Sequence, residues 1–232
     1  MRLYSIQPVA VYDQLCAGTP FHSRPFGRDQ EDDDHWQPPY DWLVGEMSKR
    51  IGPAPANATY PVWAWYLWAG PEAPCPDLRY RSTRESAENG GAAVLLTLEV
   101  PDDHVVLTDY EAWHHVINYW YLGSARETSE FDGRCKAAGL SYYHTKPLAN
   151  RELHAEIQTS WQKIIGKDGC KCLTTKAERE ASWPTIQATF WELRPEYVRQ
   201  AVWFQRTGPS RRLSLPARND RPTFASADLG DA

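Results

Sequence analysis

The chain has 232 residues, which suits one domain with a sizeable hydrophobic core. Its net charge of −5 argues against a broad nucleic-acid-binding face, since phosphate binding needs clustered lysine and arginine, but leaves room for a small basic patch. No apolar run approaches the roughly 18–20 residues of a membrane span, so we expect no membrane partner. Five cysteines at unpatterned spacing, with no export signal before them, predict reduced thiols and a cytoplasmic location.

The first elements are predicted to be a short strand and two helices. Residues 2–7 have the composition of a strand, and Pro8 suits the first position of a helix that Gly18 closes. The acidic run at 31–34 lies in a polar loop, which predicts solvated surface. A second helix is expected at 39–50, where apolar residues repeat at helical spacing.

The next segment, 60–68, contains five large aromatic residues, in a chain that is tryptophan-rich throughout, with eleven in total. We predict a strand. Strand alternation puts Trp63 and Trp65 on one face and Tyr66 and Trp68 on the other. Both faces are bulky, so the strand either runs through the core or lines a pocket for a flat ligand.

The second half of the chain is predicted to mix strands and helices without a regular βαβ repeat, which favours an α+β fold. Alternation predicts a hairpin of residues 93–100 and 104–108. Asp109 can cap the third helix. A fourth helix at 150–165 and a last strand at 185–193 follow.

Residues 123–146 and 166–182 are predicted to be loops, the second rich in Lys, Gly and Glu. After the last strand the composition changes to Arg, Pro, Ser and Asp. This change predicts a single α+β domain at 1–205 and a flexible tail at 206–232.

Three segments resemble an uncharacterised bacterial family that is catalogued as a domain of unknown function. They are 3–8, 60–66 and 186–192, and the resemblance extends over nearly all of 1–205. It implies no activity.

A more remote similarity is to the ADP-ribosyltransferase fold, in particular the DNA-modifying toxins of toxin–antitoxin systems. It is carried by the first strand, the helix that ends at Gly18, the Thr108-Asp109 turn and the segment 187–190. It implies mixed or antiparallel sheets flanked by about four helices. It also implies that NAD is the substrate and that ADP-ribose is transferred to an acceptor.

The chain departs from that fold at one position. Thr189 stands where the last strand of the fold has a glutamate, and only a fixed negative charge offsets the positive charge that develops at the anomeric carbon. Glu192 lies an odd number of residues further on, so in a regular strand it points to the opposite face. Three explanations stay open. The register of the last strand differs from the one assumed, the acid is Glu99, Asp109 or Glu180, or the site binds NAD without transferring ADP-ribose.

Two groups of side chains suit a nucleotide by their chemistry. Trp63, Trp65 and Tyr66 can stack on a nicotinamide, an adenine or a target base, although they also suit a packed core strand. Arg79 and Arg81 stand at i, i+2 on one face, and guanidinium groups bind pyrophosphate through paired hydrogen bonds. Surface ion pairs are the alternative for both arginines.

Other site residues follow from the similarity. It implies Tyr4, Ser5 and Gln7 at the nicotinamide end, with an ordinary edge strand as the alternative. Gln187 is the expected catalytic residue, where it orients the nucleophile or contacts the ribose. Asp109 is expected to cap a helix first and to contact the ligand second.

The loop at 166–182 is expected to recognise the acceptor, because it supplies positive charge that the whole chain lacks. Its cations are Lys167, Lys171, Lys176 and Arg179. Cys170 and Cys172 in the same loop form half of a metal site, but no second Cys/His pair stands at ligand spacing, so we expect no metal.

The leading hypothesis is a bacterial NAD-binding protein that transfers ADP-ribose to a macromolecule, with a nucleic acid or a protein as acceptor. A defence or toxin–antitoxin setting would add an antitoxin as partner. The alternative is a non-catalytic nucleotide sensor or interaction module with the same fold, and a third hypothesis is an enzyme unrelated to NAD. Thr189 favours binding without transfer, whereas the polar groups near the proposed pocket favour an enzyme.

Overall fold

The structure is a computed structural model. It describes residues 1–23, 36–85, 91–144, 146–173 and 183–216. The acidic run at 31–34, the second part of the loop at 166–182 and the end of the predicted tail lie outside these residues.

An antiparallel sheet forms the centre of the fold, with seven strands in the described part of the chain. They are β1 (Arg2–Pro8), β2 (Val62–Leu67), β3 (Ala92–Glu99), β4 (Val106–Asp109), β5 (Ile186–Phe190), β6 (Val198–Gln205) and β7 (Arg211–Arg212). Their order across the sheet is β4-β5-β2-β1-β3-β6-β7. Together with the helices, this sheet confirms the predicted α+β class.

Six α-helices, counted over the same residues, surround the sheet, where the sequence predicted about four. They are α1 (Val9–Cys16), α2 (Gln37–Ile51), α3 (Arg81–Arg84), α4 (Tyr110–Ile117), α5 (Ala125–Ala137) and α6 (Arg151–Ser160). α3 is a single turn. α5 occupies part of the predicted loop at 123–146, and it begins at a capping box of Ser124 and Glu127.

The predicted hairpin of 93–100 and 104–108 is wrong. Both strands exist, but β3 pairs with β1 and β6, whereas β4 pairs with β5 at the far end of the sheet. A short 3₁₀ turn, Asp102–His104, joins them. Alternation indicates a strand but does not identify its neighbour in the sheet.

Both faces of the aromatic strand β2 are packed. Val62 and Ala64 belong to an apolar cluster that includes the buried side of α1. Trp63 faces the other way and packs against the cluster formed by α2, α4, α5 and α6, with its ring centroid 5.3 Å from that of Trp113. The sheet therefore has a core on each side, and the indole of Trp63 belongs to the larger one.

The sheet opens between β1 and β2. β1 pairs with β3 along its whole length, but Tyr4 and Trp65 are the one pair in register between β1 and β2 among the described residues. The hydroxyl of Ser5 donates a hydrogen bond across the gap to the carbonyl of Trp63, at 2.8 Å. This opening leaves room between two strands that are otherwise part of one sheet.

Asp109 joins three segments at the end of β4. Its Oδ1 accepts a hydrogen bond from the backbone N–H of Ala112 at 2.8 Å, which caps α4 as predicted. Its Oδ2 accepts from the backbone N–H of Cys170 at 2.7 Å. The side chain is buried, and both of its oxygens are engaged by backbone groups.

Part of the predicted tail packs on the domain. Arg211 is in register with Trp203, which makes β7 the edge strand beside β6. The phenol of Tyr12 on α1 donates a hydrogen bond to the carbonyl of Ser214. Residues 217–232 lie outside the described part, and the flexible tail stays a prediction.

We predict that Asp109→Ala lowers the free energy of unfolding by about 2–4 kcal/mol. The change removes a helix cap and leaves the N–H of Cys170 buried without its acceptor. Urea denaturation measures the loss. Ser124→Ala at the exposed cap of α5 is the matched control and should lose about 1 kcal/mol. Equal losses in the two variants would show that Asp109 acts as an ordinary surface cap.

We also predict that Gly169→Ala destabilises the fold more than Gly139→Ala. Both glycines have a positive φ, +72° and +69°, which costs an alanine about 1–2 kcal/mol. A Cβ at Gly169 would also lie 2.7 Å from Cβ of Pro184 and 2.8 Å from Oδ2 of Asp109. At Gly139 it would meet no described atom within 4 Å.

The additional loss at Gly169 should be about 1–3 kcal/mol, as for other overpacked sites. Denaturant midpoints of the two variants measure it. Identical midpoints would mean that the turn at Gly169 shifts freely away from Pro184.

Candidate functional site

A cavity of about 300 Å³ lies at the opening between β1 and β2. This volume is at the lower end of the range for small-molecule sites. The wall is aromatic and polar, and none of its side chains is ionisable as a carboxylate or a cation. The lining residues are Ser5, Ile6, Trp63, Ala64, Trp65, Trp68, Tyr110 and Gln187.

Three aromatic rings meet at steep angles in this wall. The rings of Trp65 and Trp68 have centroids 4.6 Å apart and planes at 89°, and those of Trp65 and Tyr110 are 5.1 Å apart at 64°. The predicted opposite faces for Trp65 and Trp68 are wrong. A β-bulge between Trp65 and Leu67 shifts the register, so Trp68 returns to the side of Trp65.

Gln187 contributes a side-chain amide to the cavity wall. β5 is the neighbour of the aromatic strand, with Gln187 in register with Trp65. The Oε1 atom of Gln187 is buried and has no hydrogen-bond partner among the described residues. The same holds for Oγ1 of Thr108, which is in register with Gln187 on β4. A buried acceptor without a donor costs about 1–3 kcal/mol, and of these two residues only Gln187 lines the cavity, so its amide oxygen suits a ligand that donates.

Four of the predicted site residues lie together at the cavity. They are Ser5, Trp63, Trp65 and Gln187. Tyr4 is in register with Trp65, but its side chain packs with an apolar cluster that includes Leu78 and does not line the cavity. Gln7 supports the wall indirectly, because its Nε2 donates a hydrogen bond to Oγ of Ser5 at 2.7 Å.

The other predicted ligand contacts lie elsewhere. Tyr66 packs against the cluster on the α1 side of the sheet. The side chain of Arg79 is 88% exposed and pairs with Asp77. Arg81 pairs with Glu85, the residue that follows α3. Neither arginine lines the cavity, and both form the surface ion pairs that were the alternative prediction.

Asp109 does not line the cavity either. Its oxygens are occupied by backbone donors, so it acts on the site through Tyr110, the first residue of the helix that it caps. Thr189 is fully buried, and its hydroxyl donates to the carbonyl of Val106 at 3.3 Å.

The remaining candidate carboxylates form ion pairs elsewhere or lie outside the described residues. Glu192 pairs with His22 at 3.0 Å. Glu99 lies 3.8 Å from the N-terminal amine, at the far end of β1. Glu180 is outside the described residues. Within the described chain, therefore, no carboxylate lines the cavity.

The Cys170–Cys172 pair lies next to Asp109. The two sulfurs are 2.7 Å apart, and the hydrogen bond from Cys172 lowers the pKa of Cys170 to about 7, while the same interaction raises the pKa of Cys172. Across the described ranges, no group of three or more His, Cys, Asp or Glu residues could hold a metal ion. Lys176 and Arg179 of the predicted basic loop are not in these ranges.

Sequence reasoning missed two functional candidates, Trp68 and Tyr110. Trp68 belongs to the aromatic segment, but the bulge that turns it inward has no pattern in the sequence. Tyr110 directly follows Asp109, which caps a helix where a strand ends. The first residue of such a helix stands at the end of the strand, so the predicted cap was a signal that could have identified Tyr110.

In the part of the chain that the structure describes, no helix is long and apolar enough to cross a membrane. No curated protein and no solved structure matches the chain. A family model does match, over residues 2–199, and it is described as a domain of unknown function, DUF3841. The predicted membership of such a family is confirmed, and the chain belongs to the DUF3841 family.

Proposed function

We propose that this protein binds NAD, with the nicotinamide ring in the cavity between β1 and β2. The observation that carries the proposal is the buried, unpartnered Oε1 of Gln187 in an aromatic wall. The carboxamide of nicotinamide supplies the N–H donor that this oxygen lacks. The similarity of the element order to ADP-ribosyltransferases supports the same ligand.

The aromatic wall suits the nicotinamide ring in two ways. Stacking of a flat heterocycle on an aromatic side chain contributes roughly 1–3 kcal/mol. The oxidised ring is also a cation, which aromatic faces attract. Because the cavity is only about 300 Å³, the ring and its ribose would fill it and the rest of the dinucleotide would lie outside.

Binding without transfer is the activity that the geometry supports best. Transfer of ADP-ribose needs a fixed negative charge near the anomeric carbon, and no described residue of the cavity wall carries one. Thr189 uses its hydroxyl within the sheet. We therefore propose a nucleotide-binding sensor or interaction module as the function.

ADP-ribosyl transfer to a nucleic acid or a protein is the second candidate. It is favoured by the convergence of Ser5 and Gln187 on one cavity, because the similarity to the toxin ADP-ribosyltransferases implied both residues in one site. It would require an acid such as Glu180 from outside the described residues. A cytoplasmic toxin–antitoxin or phage-defence role belongs to this candidate.

We predict that NAD raises the melting temperature of the protein. At 100 times its Kd, a ligand stabilises the fold by about 2.7 kcal/mol, or roughly 5–10 °C for a domain of this size. Differential scanning fluorimetry measures the shift. No shift at millimolar NAD would refute the proposed function.

Gln187→Ala should weaken NAD binding by about fivefold to tenfold, since it removes the proposed acceptor for the carboxamide. Gln205→Ala, at the exposed end of β6, is the matched control and should bind NAD as the unmodified protein does. Isothermal titration calorimetry measures the NAD affinity of the unmodified protein and of the two variants. Unchanged affinity of the Gln187 variant would place the nicotinamide elsewhere.

Nicotinamide release separates the two candidate functions. Binding without transfer predicts that NAD incubated with the protein releases nicotinamide no faster than NAD alone, as followed by liquid chromatography. Release that rises with protein concentration would instead support the transferase.

A further inference from the structure

The indole side chain of Trp183 lies on the surface of the fold. It is 67% exposed, the largest value among the large hydrophobic residues that the structure describes. Its inner edge packs tightly on Gly70, where a Cβ would lie 2.8 Å from Cβ and 2.9 Å from Cγ of Trp183. Gly70 has a φ of +86°, so both its conformation and this contact require a glycine. The indole is thus held at one edge while most of its surface faces solvent.

Trp183 lies two residues before Thr185, which is hydrogen-bonded to the wall of the candidate site. Thr185 donates a hydrogen bond from Oγ1 to the carbonyl of Trp68 at 3.3 Å, and its own carbonyl accepts from the N–H of Tyr110 at 3.0 Å. Trp68 and Tyr110 both line the cavity. Two residues of extended chain span at most about 7 Å, so Trp183 lies within that reach of Thr185.

The chain segment that faces Pro184 contains lysines. Pro184, between Trp183 and Thr185, faces Gly169 closely enough that a Cβ there would lie 2.7 Å away. Gly169 stands in the segment 167–171, which has two lysines and one aspartate. An ammonium group of this segment, such as that of Lys167, suits the pyrophosphate of a dinucleotide better than the uncharged cavity wall does.

We propose that Trp183 forms a second ring-binding subsite, which stacks on the adenine of the dinucleotide whose nicotinamide occupies the cavity. This inference rests on the proposed function. The cavity has room for one ring, NAD carries two flat rings, and the exposed indole is a stacking surface close to the segment that contacts the cavity wall. The two rings of one ligand would then bind to Trp65 and Trp183, with the pyrophosphate between them.

The test compares NAD with nicotinamide mononucleotide, which lacks the adenylate half. Calorimetry gives the affinity of the unmodified protein and of Trp183→Ala for both ligands. We expect the variant to lose roughly tenfold or more in affinity for NAD and to keep its affinity for the mononucleotide. Trp183→Phe retains a ring and should recover most of the loss. Tyr143→Ala, at another exposed aromatic residue, should change neither affinity.

Each other outcome overturns the inference, and the outcomes differ in what they say about the proposed function. If Trp183→Ala binds both ligands normally, the adenine lies elsewhere and the proposed function stands. If both affinities fall together, Trp183 supports the cavity and does not bind adenine. If the variant loses affinity for a single-stranded oligonucleotide and not for NAD, the indole belongs to a nucleic-acid site. If neither ligand binds the unmodified protein, the proposed function fails and the inference fails with it.

Discussion

The buried carboxylate of Asp109 is the interaction on which the candidate site depends. It starts α4, and thereby puts Tyr110 in the cavity wall, and it holds the turn that follows Gly169. Gly169 in turn packs on Pro184, and Thr185 hydrogen-bonds to the cavity wall. Burying a carboxylate is costly unless its oxygens accept hydrogen bonds, so the two backbone donors hold the start of α4 and the segment at Cys170 in a fixed arrangement. The wall around Gln187 is a consequence of that arrangement.

The cavity exists because two neighbouring strands hardly pair. Tyr4 and Trp65 are the one pair in register between them among the described residues, and indoles and a glutamine amide face an opening in place of a strand ladder. The unpartnered oxygen of Gln187 lowers the stability of the free protein. Such local costs are expected at functional sites, where a ligand supplies the missing donors. The chemistry of the wall is therefore that of recognition, with aromatic surface and hydrogen-bond acceptors but no described acid or base.

The sequence predicts some elements of this fold and not others. Strands with clear alternation and helices with an apolar stripe are predictable, and β1, β2 and α2 were. α5 has only Phe131 and Cys135 buried along its length, so its hydrophobic pattern is too sparse to detect. In the site, Trp65 and Gln187 follow from the aromatic run and the last strand, whereas Trp68 depends on a bulge. The pairing of β3 and β4 with other strands is equally invisible, because alternation contains no information about neighbours.

The sequence by itself determined the α+β class, the family, the existence of the aromatic strand and of the last long strand, and the cap at Asp109. These are properties of short segments, since side-chain periodicity and helix caps depend on residues a few positions apart. Only the tertiary structure decided which face of the aromatic strand lines a cavity, and that Arg79 and Arg81 pair with nearby acids away from it. It also decided that the oxygen of Gln187 is left without a donor. Those outcomes depend on contacts between segments far apart in the chain, and a linear pattern does not contain the distances on which such contacts depend.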